Sequence, residues 1–213
     1  MSHTRLLITA GPTREPIDAV RFIGNRSSGK LGIALARAAT DHGHDVTLLL
    51  GPVTTPVDLP ESIRVGRCAS TAVLQALLAE HFAACDVLIM AAAVADYRPA
   101  QAIGDKLPRS AGKNLTMTLE PTPDLVGSLA PTARADQRII AFALEPADTL
   151  TQRAQAKLQR KGVHAIVANP LETMDSDTIQ PTWITRDQCE PADRMSKQDF
   201  ARWLLERVDQ LRG

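Results

Sequence analysis

Arg5-Leu-Leu-Ile-Thr-Ala-Gly-Pro12 decides how the rest of the chain is read. A short apolar run stopped by Gly11-Pro12 predicts a strand buried on both faces, where no alternation of polar residues is needed. Working outward, a helix is expected from Ser27-Ser28-Gly29-Lys30 to about His42, with Leu31, Ala34, Leu35 and Ala38 as its buried stripe and Gly43 as its stop. Asp45-Val-Thr-Leu-Leu-Leu50 repeats the strand pattern, and Gly51-Pro52 ends it. Ile63–Val65 reads as a third strand, and Ser70 as the cap of a helix carrying Val73, Leu74, Leu77 and Leu78. Asp86–Ala91, Arg138–Ala143 and His164–Ala168 add three more apolar strands. A helix over Thr149–Lys161 buries Leu150, Ala154 and Leu158 and stops at Gly162. Ser196 caps a final helix with Phe200, Trp203, Leu204 and Val208. Apolar strands alternating with helices predict an α/β fold: a three-layer, doubly wound, Rossmann-like and mainly parallel sheet forming one domain over residues 1–213.

Composition narrows the function. Lys plus Arg total 24 and Asp plus Glu total 24, so the basic excess of a general nucleic-acid binder is missing. Aromatics make up 3% of 213 residues, too few for a stacking platform on single strands. The hydrophobic share of 44% is that of a folded soluble chain. Cys68, Cys85 and Cys189 stand far apart with no CxxC spacing, which fits reduced thiols rather than a disulfide framework. The N-terminus lacks a signal-peptide core, and the run Val87–Ala95 is far short of the roughly 20 residues needed to span a bilayer. A cytoplasmic protein is expected, with no nucleic-acid and no membrane partner.

In doubly wound folds the ligand sits outside the carboxyl ends of the strands, where strand order reverses. Two segments there are rich in chemistry: Gly11–Lys30 and Ala91–Lys106. Gly24-Asn-Arg-Ser-Ser-Gly-Lys-Leu31 fits the first seven positions of a Walker A loop, but Leu31 stands where the Mg²⁺-binding hydroxyl belongs. Ser27, Ser28 and Gly29 could present N–H groups to a phosphate or simply cap the helix, and both readings stand open. Met90-Ala-Ala-Ala-Val-Ala-Asp96 ends a buried strand in small residues, which lets a ligand approach the backbone or packs the strand end tightly. Lys106 lies in a polar loop. Lys157 and Lys161, at i and i+4, read locally as a solvated face.

Taken together, Thr9–Asp18, Val20–Gly32 and Ala92–Arg98 closely resemble phosphopantothenoylcysteine synthetase (phosphopantothenate–cysteine ligase), the second activity of the bifunctional bacterial coenzyme A biosynthesis flavoprotein. The resemblance continues through Lys106, Thr122-Pro-Asp-Leu125, Ala141–Glu145, Lys157, Lys161 and Val167-Ala-Asn169, covering essentially the whole chain. It implies a ligase that activates the carboxylate of 4′-phosphopantothenate with CTP or ATP and Mg²⁺. The acyl-nucleotide so formed passes to L-cysteine, with pyrophosphate released. It further implies Asn25 and Lys106 as catalytic residues, and Arg21, Asn25, Ala92 and Ala93 at the phosphopantothenate. At the nucleotide it implies Met90, Ala91, Ala92, Asp96, Lys106, Thr122, Pro123, Asp124, Leu125, Phe142, Lys157 and Lys161. Metal ligands are not assigned. A homodimer is implied, with Leu115–Leu119 as an arm strand within a segment from about Ile103 to Glu120 that crosses to or packs on the partner, and the polar loop of Lys106, flanked by Gly104 and Gly112, could close over the site.

Some positions depart from the pattern. Pro12 replaces a glycine, Leu144 a small residue, and the interval from Phe142 to Lys157 is one residue longer. The flavin-binding decarboxylase half is absent. A separately encoded synthetase or an excised domain would each account for this; either way no flavin is expected in this chain, and a separate phosphopantothenoylcysteine decarboxylase is an expected partner. Two other classes were weighed. A short-chain NAD(P)-dependent reductase requires Tyr-x-x-x-Lys, but Tyr97 is followed by Gln101. A non-catalytic nucleotide-binding regulator is the third reading, which Pro12 keeps open.

Overall fold

A computed structural model describes residues 3–54, 57–109, 114–174 and 176–212. Eight strands build its main sheet: β1 (Arg5–Ala10), β2 (Asp45–Leu50), β3 (Arg64–Arg67), β4 (Val87–Met90), β5 (Arg138–Glu145), β6 (Ala165–Pro170), β7 (Thr182–Ile184) and β8 (Cys189–Pro191). Their order across the sheet is β3-β2-β1-β4-β5-β6-β7-β8. The first six are parallel, and β7 and β8 turn back antiparallel at one edge. Strand order therefore reverses between β1 and β4, the position where doubly wound sheets open a crevice.

Five helices cover the two faces: α1 (Lys30–Asp41), α2 (Thr71–His81), α3 (Leu125–Leu129), α4 (Leu150–Lys161) and α5 (Lys197–Arg212). Leu35, Ala36 and Ala39 of α1 join Phe200, Leu204 and Val208 of α5 on one face of the sheet. Leu74 and Leu78 of α2 and Leu150, Ala154 and Leu158 of α4 fill the other. The expected three layers are present.

Element boundaries follow local chemistry. Ser70 caps α2 by accepting the Val73 N–H at 3.4 Å, and Gly162 closes α4 in the left-handed region at φ 63°. Ser196 caps the start of α5: its hydroxyl accepts the Asp199 N–H at 3.1 Å and donates to the Asp199 carboxylate at 2.6 Å. The stripe of α1 is displaced from the expected one. Gly32, Leu35, Ala36 and Ala39 are buried, while Leu31, Ala34 and Ala38 are half-buried. The cause is Gly32, where an added Cβ would lie 2.5 Å from the Ala10 Cβ, so the helix presses on β1 at that residue. Val73 of α2 is exposed and Leu77 half-buried, which corrects the stripe expected there, and Trp203 of α5 is also only half-buried. β3 is Arg64–Arg67 rather than Ile63–Val65.

Short antiparallel pairs went unread. Arg14–Pro16 pairs with Phe22–Gly24, and Tyr97–Pro99 with Leu119–Pro121. The arm strand expected at Leu115–Leu119 is thus only partly formed, since pairing begins at Leu119 and uses Tyr97–Pro99 of the same chain. Gly112, expected to flank the Lys106 loop, lies outside the described residues.

Candidate functional site

At the reversal, the chain leaving β1 and the chain leaving β4 lie side by side. Pro12 bridges Ala93 in parallel register. The Ala93 N–H donates to the Gly11 carbonyl at 2.9 Å, and the Thr13 N–H donates to the Ala93 carbonyl at 3.2 Å. This pairing uses the groups on either side of Pro12, so its missing N–H costs nothing in the bridge. Two buried threonines complete the support: the Thr9 hydroxyl accepts the Ala92 N–H at 3.0 Å, and the Thr13 hydroxyl accepts the Ala95 N–H at 2.9 Å. The segment Ala91–Ala95 is thereby held as a rigid floor of small side chains.

Above it opens a cleft of about 1100 Å³. One wall is the loop Gly24–Gly29 with the start of α1; the other is formed by the ends of β5 and β6 and one face of α4. Of the residues singled out from the sequence, Asn25, Met90, Ala91, Ala92, Ala93, Asp96, Phe142, Lys157 and Lys161 line this cleft. Asn25 donates through Nδ2 to the Val94 carbonyl at 2.8 Å, which fixes the side chain against the floor. No strand of the main sheet leads into this loop, since Phe22–Gly24 belongs to a separate hairpin; that removes the Walker A reading.

The α4 wall is cationic. Lys157 donates to the Phe142 carbonyl at 2.9 Å, and burial, reinforced by the neighbouring Lys161, pushes its ammonium pKa down. The local reading of a solvated face is thus corrected for Lys157. Lys161 pairs with Asp124 at 2.7 Å, and Asp124 caps α3 through the Gly127 N–H at 3.0 Å. Burial opposes ionisation of Asp124, but the Lys161 ammonium and that N–H outweigh it and hold the carboxyl below its ordinary range. Arg153 and Arg160 also line the cleft. The sequence reading missed them, although Arg153, Lys157 and Lys161 repeat at i+4 along one helical face. Asn169, at the end of β6, is 6% exposed, lines the cleft, and has no hydrogen-bond partner for Oδ1.

Other expected residues stand outside. Thr122, Pro123, Asp124 and Leu125 lie behind the lining; Thr122 ties its N–H to the Asp96 carbonyl at 2.9 Å, and Asp124 reaches the cleft only through Lys161. Lys106 is exposed and Arg21 is engaged by Asp18, and neither lines the cleft. Tyr97 is 56% exposed on its hairpin and also outside, so it offers no reductase tyrosine. Among the described residues no cluster of three His, Cys, Asp or Glu could hold a metal by itself. Among the described residues no helix is long and apolar enough to cross a membrane.

Residues 1–211 match the model of the family described as DNA/pantothenate metabolism flavoprotein C-terminal domain. A curated prokaryotic protein named cysteine/cysteine sulfinic acid decarboxylase is 44% identical over 172 residues, covering 81% of this chain and 47% of its own. The coenzyme A biosynthesis bifunctional protein CoaBC of Mycobacterium bovis is 43% identical over 178 residues, covering 79% and 42%. The chain spans about half the length of these curated relatives. The crystal structure of the C-terminal domain of a CoaBC protein superposes with a TM-score of 0.84 at 32% identity, covering 99% of this chain and 96% of that one.

Proposed function

The chain belongs to the family of DNA/pantothenate metabolism flavoprotein C-terminal domains, and from that membership we propose that it is a phosphopantothenate–cysteine ligase of coenzyme A biosynthesis. One observation carries the reading. A neutral amide, Asn25, is fixed against the floor of a cleft whose other wall presents Lys157 and Lys161, at the switch point of a doubly wound sheet.

The chemistry suits that arrangement. A carboxylate oxygen of 4′-phosphopantothenate attacks the α-phosphorus of CTP or ATP, an acyl–phosphate bond forms, and pyrophosphate leaves with the electron pair. The amine of L-cysteine then attacks the acyl carbon, an amide bond forms, and the nucleoside monophosphate leaves. The first step gathers negative charge, which Lys157, Lys161 and Arg160 are placed to offset. Met90–Ala92 and Phe142 let the nucleotide lie against backbone. Cations outnumber acids in the lining, so Mg²⁺ fits here as an ion that nucleotide phosphates would mainly hold, with Asp96 and Glu145 as the carboxylates of the lining that could assist. When bound, it would neutralise charge on the leaving pyrophosphate.

Two residues of the proposal need help to arrive. Lys106 must swing from its exposed loop to reach the reacting phosphate. Arg21 stands beside exposed Val20, Phe22 and Ile103, an apolar surface that fits a second copy of the chain. A homodimer would bring Arg21 to a phosphopantothenate site shared across the interface.

The deciding experiment measures pyrophosphate release with CTP and ATP in parallel. Release should require both cysteine and phosphopantothenate for full turnover, and Lys106→Gln should slow acyl-nucleotide formation by roughly 10²–10³. Release without phosphopantothenate, repeated turnover without cysteine, or a fully active monomer at micromolar concentration refutes the corresponding part of the proposal.

A further inference from the structure

Asp18 is a buried carboxylate with no place in the cleft. Its Oδ1 accepts the N–H groups of Val20 at 2.9 Å and Arg21 at 2.7 Å, the ordinary bonds of an Asx turn. Its Oδ2 does something a turn does not require. It accepts from the Arg21 guanidinium, at 2.9 Å through Nε, and from the Leu107 N–H at 3.1 Å, 89 residues further along the chain. Arg21 returns the contact by donating from Nη2 to the Leu107 carbonyl at 3.0 Å. Four residues earlier, the Ile103 N–H donates to the Ile17 carbonyl at 3.0 Å.

The segment from Ile103 to Leu107 is therefore pinned at both ends to residues 17–21. Only Gly104, Asp105 and Lys106 lie between the pins, all three exposed. An added Cβ at Gly104 would meet nothing within 4 Å, so the span has open space at that residue. The Leu107 pin thus limits where Lys106 can travel. The Asp18 carboxyl lies well below the ordinary carboxylate range, chiefly through its Arg21 hydrogen bond, so it is ionised and accepting at neutral pH.

We propose that Asp18 is the positioning residue of the Lys106 loop, seating Leu107 and Arg21 in one cluster so that the loop swings from a fixed pivot. This rests on the reading of Lys106 as the lysine that reaches the reacting phosphate.

Asp18→Asn is the test, because it replaces an acceptor oxygen while keeping the shape of the turn. Trypsin cleavage of the folded protein after Lys106 should rise by about tenfold or more, with cleavage after Arg207 in α5 unchanged. Single-turnover acyl-nucleotide formation should slow by about tenfold while the nucleotide Kd stays within about twofold. In a Lys106→Gln background the same change should add nothing, since both would act through one side chain. Should Asp18→Asn not fold, Leu107→Pro removes the N–H that Oδ2 accepts, along with the leucine side chain, and should slow activation by a similar factor; trypsin does not cut before proline, so activation alone is read in that variant. Unchanged cleavage after Lys106, an equal rise at both bonds, or losses that multiply in the double variant would each overturn the proposal. If Lys106→Gln alone leaves activation at the wild-type rate, the reading of Lys106 has failed, and the cleavage ratio still decides the pivot.

Discussion

The ammonium of Lys157 lies 2.9 Å from the carbonyl oxygen of Phe142, in the middle of β5 and largely out of water. A backbone carbonyl is a weak counter-charge for a buried cation, so this lysine is held at a cost until an anion arrives. Lys157→Met should therefore shift two measurements in opposite directions. The ligand-free Tm should rise by about 2–4 °C, the scale of about 1 kcal/mol in a chain of this size. The nucleotide Kd should weaken by about tenfold to a hundredfold, the loss of one charge-assisted contact. The sign with pH is fixed: the folded pKa lies below the unfolded one, so the penalty is present at low pH and fades as pH rises toward 10.5. The Tm gap between variant and wild type should narrow from pH 7 to pH 9.5. A lower Tm with unaltered nucleotide binding contradicts this account.

How far the sequence foretold this site differs residue by residue. The α4 face of Leu150, Ala154 and Leu158 and the strand Asp45–Leu50 were legible because their apolar periods are unbroken. The antiparallel strands Thr182–Ile184 and Cys189–Pro191 were not, since three-residue strands of mixed polarity carry no period and owe their existence to a neighbour. Lys157 looked solvated because its spacing with Lys161 reports a shared face and not what covers it. What covers it is β5, a partner set by tertiary packing. Arg21 and Lys106 were named by resemblance, yet the loops that carry them meet at Asp18 and not in the cleft. No local pattern announces a hydrogen bond spanning 89 residues.

Thiol chemistry should be confined to one cysteine. Burial pushes the Cys68 thiol up to about 11 and also raises Cys85, while Cys189 is exposed on β8. At pH 8 a thiol reagent should label one site rapidly and the other two only as the protein unfolds. Cys189→Ser should remove the rapid phase, and replacing all three should leave turnover intact in the folded protein. Rapid labelling of two or more thiols under native conditions would show the buried pair to be wrongly placed.

Acid stability should depend on Asp86. The Arg5 side chain and backbone hold this carboxylate at 2.6–3.2 Å and, against the opposing effect of burial, lower its pKa to about 2. A depressed carboxylate stabilises the fold above the unfolded value near 4, and that contribution is lost as pH falls toward 2. Because Arg5 is half exposed, the pair is screened, and Asp86→Asn should cost about 1 kcal/mol at pH 7. The difference between variant and wild type should vanish by about pH 2 in urea titrations. A gap that persists there would assign the loss to packing rather than charge.

Pro12 should be dispensable for catalysis. Its bridge to Ala93 uses the Gly11 carbonyl and the Thr13 N–H, and asks nothing of the nitrogen of residue 12. Pro12→Gly should lower stability by about 0.4–1 kcal/mol through the freer unfolded chain and leave kcat within about twofold. A tenfold gain in kcat for the glycine variant would show that the proline does restrict the loop.

The last prediction separates the two half-reactions. Activation gathers negative charge, which the α4 cations and Lys106 are suited to offset, whereas Asn25 is uncharged and adds little to that balance. What Asn25 has is orientation: one N–H of Nδ2 is committed to the Val94 carbonyl at 2.8 Å, which sets the direction of the amide and of its acceptor oxygen. An acceptor there suits the cysteine amine, which must lose a proton as it attacks the acyl carbon. Asn25→Asp sets a carboxylate oxygen against the Val94 carbonyl, so the side chain must turn away and its placement is lost. Transfer to cysteine should then fall by about 10²-fold or more, the scale for one misplaced reacting group, while acyl-nucleotide forms within a few-fold of the wild-type rate. Quenched single-turnover reactions with labelled nucleotide should show the intermediate accumulating. If instead the intermediate fails to form and cysteine transfer is normal, Asn25 acts on activation and its orientation toward Val94 serves the phosphate rather than the amine.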